Sequence, residues 1–155
     1  MQTFITENSK QTKQLGEMLA EEILLEKKFP KIICLSGDLG AGKTTFTQGL
    51  LKGLKIKGPY TSPTFAIMKH YQMKSKVESL KSKIRNVYHI DAYRVEENDI
   101  LNLGWQEMLL EKNVIIVEWA ERIAKIIPNP PAGGSVWINF EWVDEKKRKI
   151  TFTIK

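Results

Sequence analysis

Apolar positions along this chain fall into two rhythms. Residues 32–35 (IICL), 87–91 (VYHID) and 114–118 (VIIVE) are short apolar runs rich in β-branched residues, which suits strands buried on both faces. Residues 4–6 and 65–71 predict two further strands. Near the C-terminus the pattern changes to strict alternation. Val136, Ile138, Phe140 and Trp142 share one face, as do Ile150, Phe152 and Ile154, with a turn over 144–148 between them. That predicts an antiparallel hairpin with one face buried. The second rhythm is helical. Leu15, Met18, Leu19 and Ile23 predict a helix over 10–26, with Asn8 or Ser9 as its cap and Gln11 completing a capping box. Phe46, Leu50, Leu51 and Leu54 mark another helix. A third covers 96–109 with Gly104 interrupting it, and a short one covers 120–125. Strands alternating with helices predict an α/β fold. Nothing divides the 155 residues into two cores, so one domain is expected over 1–155.

Between the first apolar run and the helix after it lies GDLGAGKTT, residues 37–45. Gly37, four residues, then Gly42, Lys43 and Thr44 is the P-loop (Walker A) pattern, set between strand and helix as its mechanism requires. Gly37, Gly40 and Gly42 permit backbone angles that a Cβ would forbid. Successive N–H groups can then face one concavity and bind phosphate oxygens. Lys43 adds a positive charge for the β- and γ-phosphates, and the Thr44 hydroxyl can ligate Mg²⁺. The bland alternative, a glycine-rich turn beside a surface lysine, leaves the strand–loop–helix context unexplained.

Asp91 and Glu118 each end an apolar run. A strand that delivers a carboxylate at its C-terminal end is the Walker B arrangement; such an acid binds Mg²⁺ or orients an attacking water. Residues 58–65, GPYTSPTF, form a loop with hydroxyls at Tyr60, Thr61, Ser62 and Thr64. Two readings fit it: a switch that reaches the γ-phosphate, or an ordinary turn capped by hydroxyls. Trp119, after Glu118, reads as a core residue.

Charge narrows the picture. The net charge is +6, but residues 72–86 hold five basic side chains against Glu78 alone and so carry four of those charges. Met73, Val77, Leu80 and Ile84 form a stripe there, compatible with a basic amphipathic helix or with a solvated hairpin tip. A second basic cluster lies at 146–149. The single cysteine, Cys34, excludes an internal disulfide and suits a reducing cytoplasm. His70 and His89 alone cannot build a Cys/His metal cluster. There is no N-terminal signal pattern and no run of about 20 apolar residues, so a cytoplasmic protein without a membrane partner is expected. A tract at 128–134, with three prolines and two glycines, is a loop rather than a domain boundary.

Taken together the motifs resemble one family, TsaE (YjeE). They are LG at 15–16, GDLGAGKTTF at 37–46, SPTF at 62–65, YHIDAYR at 88–94, LGWQEML at 103–109 and VEWAER at 117–122, in the family's order and over nearly the whole chain. The basic segment 72–86 departs from it, being longer than the expected hairpin. The resemblance implies a P-loop NTPase-like three-layer fold, its mixed and mostly parallel sheet ending in the antiparallel C-terminal hairpin. It implies an accessory Mg²⁺-dependent ATPase that binds and slowly hydrolyses ATP to ADP. Family members support threonylcarbamoylation of adenosine 37 in tRNAs reading codons that start with A. They act with TsaD and TsaB and meet tRNA only through that complex.

On this reading the nucleotide is held by Ser9, Gly37, Asp38, Gly40, Ala41, Gly42, Lys43, Thr44, Thr45 and Arg148. Thr44 and Glu118 ligate the metal. Asp91 holds a water, although the two acids could exchange roles, and Thr64 is the switch residue. Lys43, Asp91, Glu118 and Thr64 form the catalytic set. Two rivals stand beside it. A small-molecule P-loop kinase would need an acceptor pocket and an arginine-rich lid, and the four arginines, Arg85, Arg94, Arg122 and Arg148, form none. An ATP-switched nucleic-acid-binding module would use the basic patches.

Overall fold

The computed structural model describes residues 1–25, 31–63, 65–73, 84–128 and 134–154. The expectations about Thr64, about residues 74–83 of the basic segment and about the proline tract at 129–133 lie outside the described residues.

Seven strands form one sheet: β1 (Gln2–Thr6), β2 (Lys31–Gly37), β3 (Met68–Gln72), β4 (Asn86–Asp91), β5 (Asn113–Glu118), β6 (Ser135–Trp142) and β7 (Arg148–Ile154). Their spatial order is β1-β7-β6-β2-β5-β4-β3. The four middle strands, β6, β2, β5 and β4, run parallel, whereas the outer pairs β1–β7, β6–β7 and β3–β4 are antiparallel. The predicted C-terminal hairpin is β6–β7. Helices α1 (Ser9–Leu25) and α2 (Lys43–Gly53) cover one face; α3 (Glu97–Asn102), α4 (Trp105–Leu110) and a 3₁₀ helix (Ala120–Ile126) cover the other.

Strand alternation explains the three layers. Ile33, Leu35, Val87, Val114 and Ile116 pack with Phe46, Leu50 and Leu54 on the α1/α2 side. Their neighbours Ile32, Cys34, Ile90, Ile115 and Val117 pack with Ile100, Trp105 and Met108 on the opposite side. Apolar residues two apart share a face, so the same parity sends His89, Asp91 and Glu118 toward α2. Among the described residues, no helix is long and apolar enough to cross a membrane.

The two covering helices on the α2 side meet backbone to backbone. A Cβ on Gly49 would lie 2.0 Å from the Lys13 carbonyl oxygen, so only glycine admits this approach. It brings the start of α1 beside the start of α2. There Asn8 caps α1 as expected: its Oδ1 accepts from the Gln11 N–H at 3.0 Å. The Gln11 side chain closes the box one residue earlier than the usual pattern, accepting from the Glu7 N–H at 2.7 Å.

Three expectations change in detail, while the break expected at Gly104 is present. The strand predicted over 65–71 begins only at Met68; Phe65 is exposed and Ile67 has a φ of 63°, which takes the chain out of extended geometry before β3. The interruption at Gly104 (φ 88°) splits one predicted helix into α3 and α4. The short helix after Trp119 is 3₁₀. Trp142 shares the parity of Phe140 but is 49% exposed, because it stands beyond the helix layer; its ring stacks under the Arg148 guanidinium at 3.8 Å.

Candidate functional site

β2 ends at Gly37 and α2 begins at Lys43, so residues 38–42 turn between a central strand and a helix. Gly37, Gly40 and Gly42 take φ values of 122°, 73° and 105°, as the glycine spacing predicts. Gly42 is the N-cap of α2 and offers its first turn no side-chain acceptor, and that turn contains no acidic residue. A helix start without either leaves N–H donors and the positive end of the macrodipole for an anion.

Lys43 lies at this start and is only 4% exposed. Its ammonium donates to the carbonyl oxygens of Gly37 and, at 2.8 Å, Asp38. It also sits over the Trp119 ring, 3.7 Å from the centroid. Burial pulls its pKa below the ordinary lysine value; the charges of Glu118, Glu121, Asp38 and Asp91 oppose that shift. Trp119 therefore belongs to the site rather than to the plain core. A positive φ of 59°, uncommon for a bulky residue, turns its indole over Lys43 and against Tyr93, with ring centroids 4.8 Å apart.

The Thr44 hydroxyl donates to Glu118 Oε2 at 2.8 Å. Glu118 ends β5, the parallel neighbour of β2, and its other oxygen meets His89 Nε2 at 2.8 Å. Asp91 ends β4, level with Glu118 in the register. Its Oδ1 accepts from the Tyr93 N–H at 2.9 Å, and its Oδ2 accepts from the Ser62 hydroxyl at 3.4 Å. The loop before β3 is thus tied to the acid of β4. Of the loop's other hydroxyls, Tyr60 donates to the Ile56 carbonyl at 2.6 Å and Thr61 is held by Lys69.

These residues line one cleft of about 480 Å³, bounded by Gly40, Gly42, Lys43, Thr44 and Thr45 and by Ser62, Asp91, Tyr93, Arg94, Glu118 and Trp119. A second cleft of about 300 Å³ adjoins it through Gly40, Gly42 and Thr45, bounded by Asn8, Ser9, Thr12, Glu145, Lys146 and Arg148. Arg148 is held there by the hairpin turn: its guanidinium donates to the carbonyls of Asp144 and Lys147, both at 2.9 Å, and to Gly40 at 3.4 Å. Together the clefts have the size of small-molecule sites, roughly 300–1,000 Å³. Another depression, at Val95–Asn98 with Arg122 and Lys125, contains none of the expected site residues.

Comparison with known proteins decides the family. Residues 6–150 match the family model described as threonylcarbamoyl adenosine biosynthesis protein TsaE. The chain belongs to the TsaE family. The tRNA threonylcarbamoyladenosine biosynthesis protein TsaE of Bacillus subtilis (strain 168) is 34% identical over 148 residues, 96% of this chain and 82% of that protein. Its counterpart from Aquifex aeolicus (strain VF5) is 40% identical over 134 residues, 85% of this chain and 84% of that one. Among solved structures, the crystal structure of Bacillus subtilis YdiB matches with a TM-score of 0.71 at 30% identity, covering 97% of this chain and 83% of that one.

Within this TsaE-family chain the expected site residues mostly converge. Gly37, Gly40, Gly42, Lys43, Thr44, Thr45, Asp91 and Glu118 surround the larger cleft or the loop beside it, while Ser9 and Arg148 meet at the smaller one. Asp38 and Ala41 act through the backbone: the Ala41 N–H donates to the Asp38 carbonyl at 3.2 Å and closes the loop, and the Ala41 side chain is buried. Thr64 lies outside the described residues. Arg94, Tyr93 and His89 were not singled out from sequence; all three lie in or beside the YHIDAYR run, whose identity with the family motif was the available signal. Among the described residues, no group of three or more His, Cys, Asp or Glu could hold a metal ion by itself. The Thr44 hydroxyl and the Glu118 carboxylate are nevertheless hard oxygen donors side by side, which fits Mg²⁺ bound through one or two protein oxygens and a phosphate.

Proposed function

We propose that this chain is a Mg²⁺-dependent ATP-binding subunit that hydrolyses ATP slowly in the threonylcarbamoylation of tRNA adenosine 37, acting with TsaD and TsaB. The observation that carries the reading is the meeting of Lys43, Thr44, Asp91 and Glu118 around the start of α2, at the C-terminal ends of parallel strands. Ligands bind at that end of open α/β sheets. Family membership supports the pathway and the partners.

Each residue has a role in this reading. The first N–H groups of α2 and the glycine loop receive phosphate oxygens. Lys43 has three N–H donors, so it can keep both backbone carbonyls and still reach a phosphate oxygen. Thr44 Oγ1 and Glu118 Oε2 would hold Mg²⁺, which supplies neutralisation of the phosphate charge. Asp91 orients the attacking water and accepts its proton. Ser62 ties the 58–65 loop to Asp91, and in this reading that loop, whose sequence includes Thr64, is the switch that reports the γ-phosphate. The smaller cleft takes the nucleoside: Ser9 offers a hydroxyl and Arg148, backed by Trp142, a planar cation.

Calorimetric titration with ATP and ADP, with and without Mg²⁺, tests the site. A pull-down of cellular partners in ATP against ADP tests the role. We expect Mg²⁺-dependent binding of both nucleotides and retention of TsaB and TsaD that differs between them. A folded protein that binds neither nucleotide would end this reading.

A further inference from the structure

One buried polar contact serves neither the core nor the phosphates directly. His89 and Glu118 are 1% and 2% exposed and lie among apolar strands on the α2 face of the sheet. His89 pairs with Ile116 in the β4–β5 register, so Glu118 is its diagonal neighbour on the same face. Their side chains meet at 2.8 Å, Nε2 to Oε1. A carboxylate has no hydrogen to give, so this contact requires Nε2–H as the donor. The other ring nitrogen, Nδ1, is buried without a hydrogen-bond partner among the described residues. A side chain needed only for packing here would be apolar, since a buried polar atom without a partner costs stability. The imidazole's hydrogen bond therefore goes entirely to Glu118.

Glu118 is divided in turn. Oε1 is taken by His89, and Oε2 faces the Thr44 hydroxyl. Without the imidazole, Oε1 would lie unpartnered beside apolar strands and the carboxylate could swing away from Thr44. We propose that His89 is the positioning residue of the metal site, locking the Glu118 rotamer so that Oε2 is presented beside Thr44. The inference rests on reading the larger cleft as a Mg²⁺–nucleotide site.

The test measures ADP affinity by calorimetry across a Mg²⁺ titration and in excess chelator, on the full chain, with circular dichroism as a check of folding. His89→Phe keeps a ring but cannot donate. His89→Gln can place an amide N–H near the position of Nε2. His89→Asn is too short to do so. Loss of a residue that orients a metal ligand typically costs 10–100-fold in metal affinity, so His89→Phe and His89→Asn should raise the Mg²⁺ midpoint about tenfold or more. Chelator-condition ADP affinity should stay unchanged, and His89→Gln should recover most of the loss. A purely packing role predicts the opposite ranking, with Phe mildest. If His89→Phe does not fold, the Gln–Asn pair carries the test, and equal Mg²⁺ midpoints in that pair overturn the inference. So does a folded His89→Phe with the wild-type midpoint. A wild-type protein whose ADP affinity ignores Mg²⁺ removes the reading of the cleft and this inference with it; Mg²⁺ dependence untouched by the His89 series removes the inference alone.

Discussion

Thr44 and Glu118 stand 74 positions apart in the chain, yet the threonine hydroxyl donates to the glutamate carboxylate at 2.8 Å. The parallel pairing of β2 with β5 makes the contact. Leu35 is in register with Glu118, and the loop after β2 brings the start of α2 back over the strand end. Asp91 lies level with Glu118 one strand further out, bonded to Ser62 and the Tyr93 N–H instead. The two acids therefore have different partners, and different losses are expected. Glu118→Gln should raise the Mg²⁺ requirement of ATP binding by about tenfold or more, because a charged hard ligand is lost. Asp91→Asn should leave binding near normal and slow single-turnover hydrolysis by about 10²-fold, the scale of general-base contributions. Mg²⁺ titration at fixed ATP for each variant separates them, and the reverse pattern would exchange the roles.

Lys43→Ala should fold and lose nucleotide affinity by at least about tenfold, since a hydrogen bond to a charged group contributes roughly 1.5–3 kcal/mol. The same residue gives a pH signature. Burial lowers its pKa below 10.5 in the folded protein. Between the lowered value and 10.5 the unfolded chain binds more protons, so stability rises with pH through that window and the gain is complete above 10.5. Below the window the buried ammonium is a standing cost. Denaturant midpoints taken from pH 8 upward should climb more in wild type than in Lys43→Met. Parallel curves would mean that Lys43 does not titrate differently on folding.

Arg94 lines the larger cleft together with the glycine loop and is exposed to solvent. An arginine at that wall can reach charge that develops on a transferring phosphoryl group. Arg94→Ala should keep ATP affinity within about threefold, as expected of a group that acts mainly in the transition state. It should lower the hydrolysis rate by about 10²-fold. The purified wild-type chain should itself turn over below about 1 s⁻¹, the low end for typical enzymes. Unchanged hydrolysis in Arg94→Ala would make its position in the cleft incidental.

The basic segment should be dispensable for nucleotide binding. The Met73 N–H donates to the Arg85 carbonyl at 2.9 Å, so the two ends of the segment are already bonded as in a hairpin. Replacing residues 74–83 with a two-residue turn leaves Met73 and the buried Ile84 in the core. Shortening a connection changes loop-closure entropy only slightly, by roughly 0.6 kcal/mol per halving of length. ATP affinity should match wild type by calorimetry, and a folded deletion that fails to bind would make the segment part of the site.

Local chemistry was enough for much of this protein. The glycine loop is legible because its backbone angles are dictated by the residues that must adopt them, and α2 by the apolar spacing that follows. The strands ending in Asp91 and Glu118 are legible because parallel strands buried on both faces must be apolar until they emerge. The break at Gly104 and the cap at Asn8 are local in the same sense. Alternation told which face a residue occupies but not how far the covering layer extends, so Trp142 was expected inside and is half-exposed beneath the Arg148 guanidinium instead. Only the tertiary structure decided the rest. Strand order depends on pairings between segments far apart in the chain, such as Lys31 with Val114, Ile32 with Ser135 and Gln2 with Phe152, which no local rhythm encodes. That order sets Glu118 beside Thr44, turns Trp119 over Lys43, brings Arg94 to the cleft wall and joins His89 to Glu118. Each of these is a meeting of side chains from different elements, and its geometry exists only once the sheet has assembled.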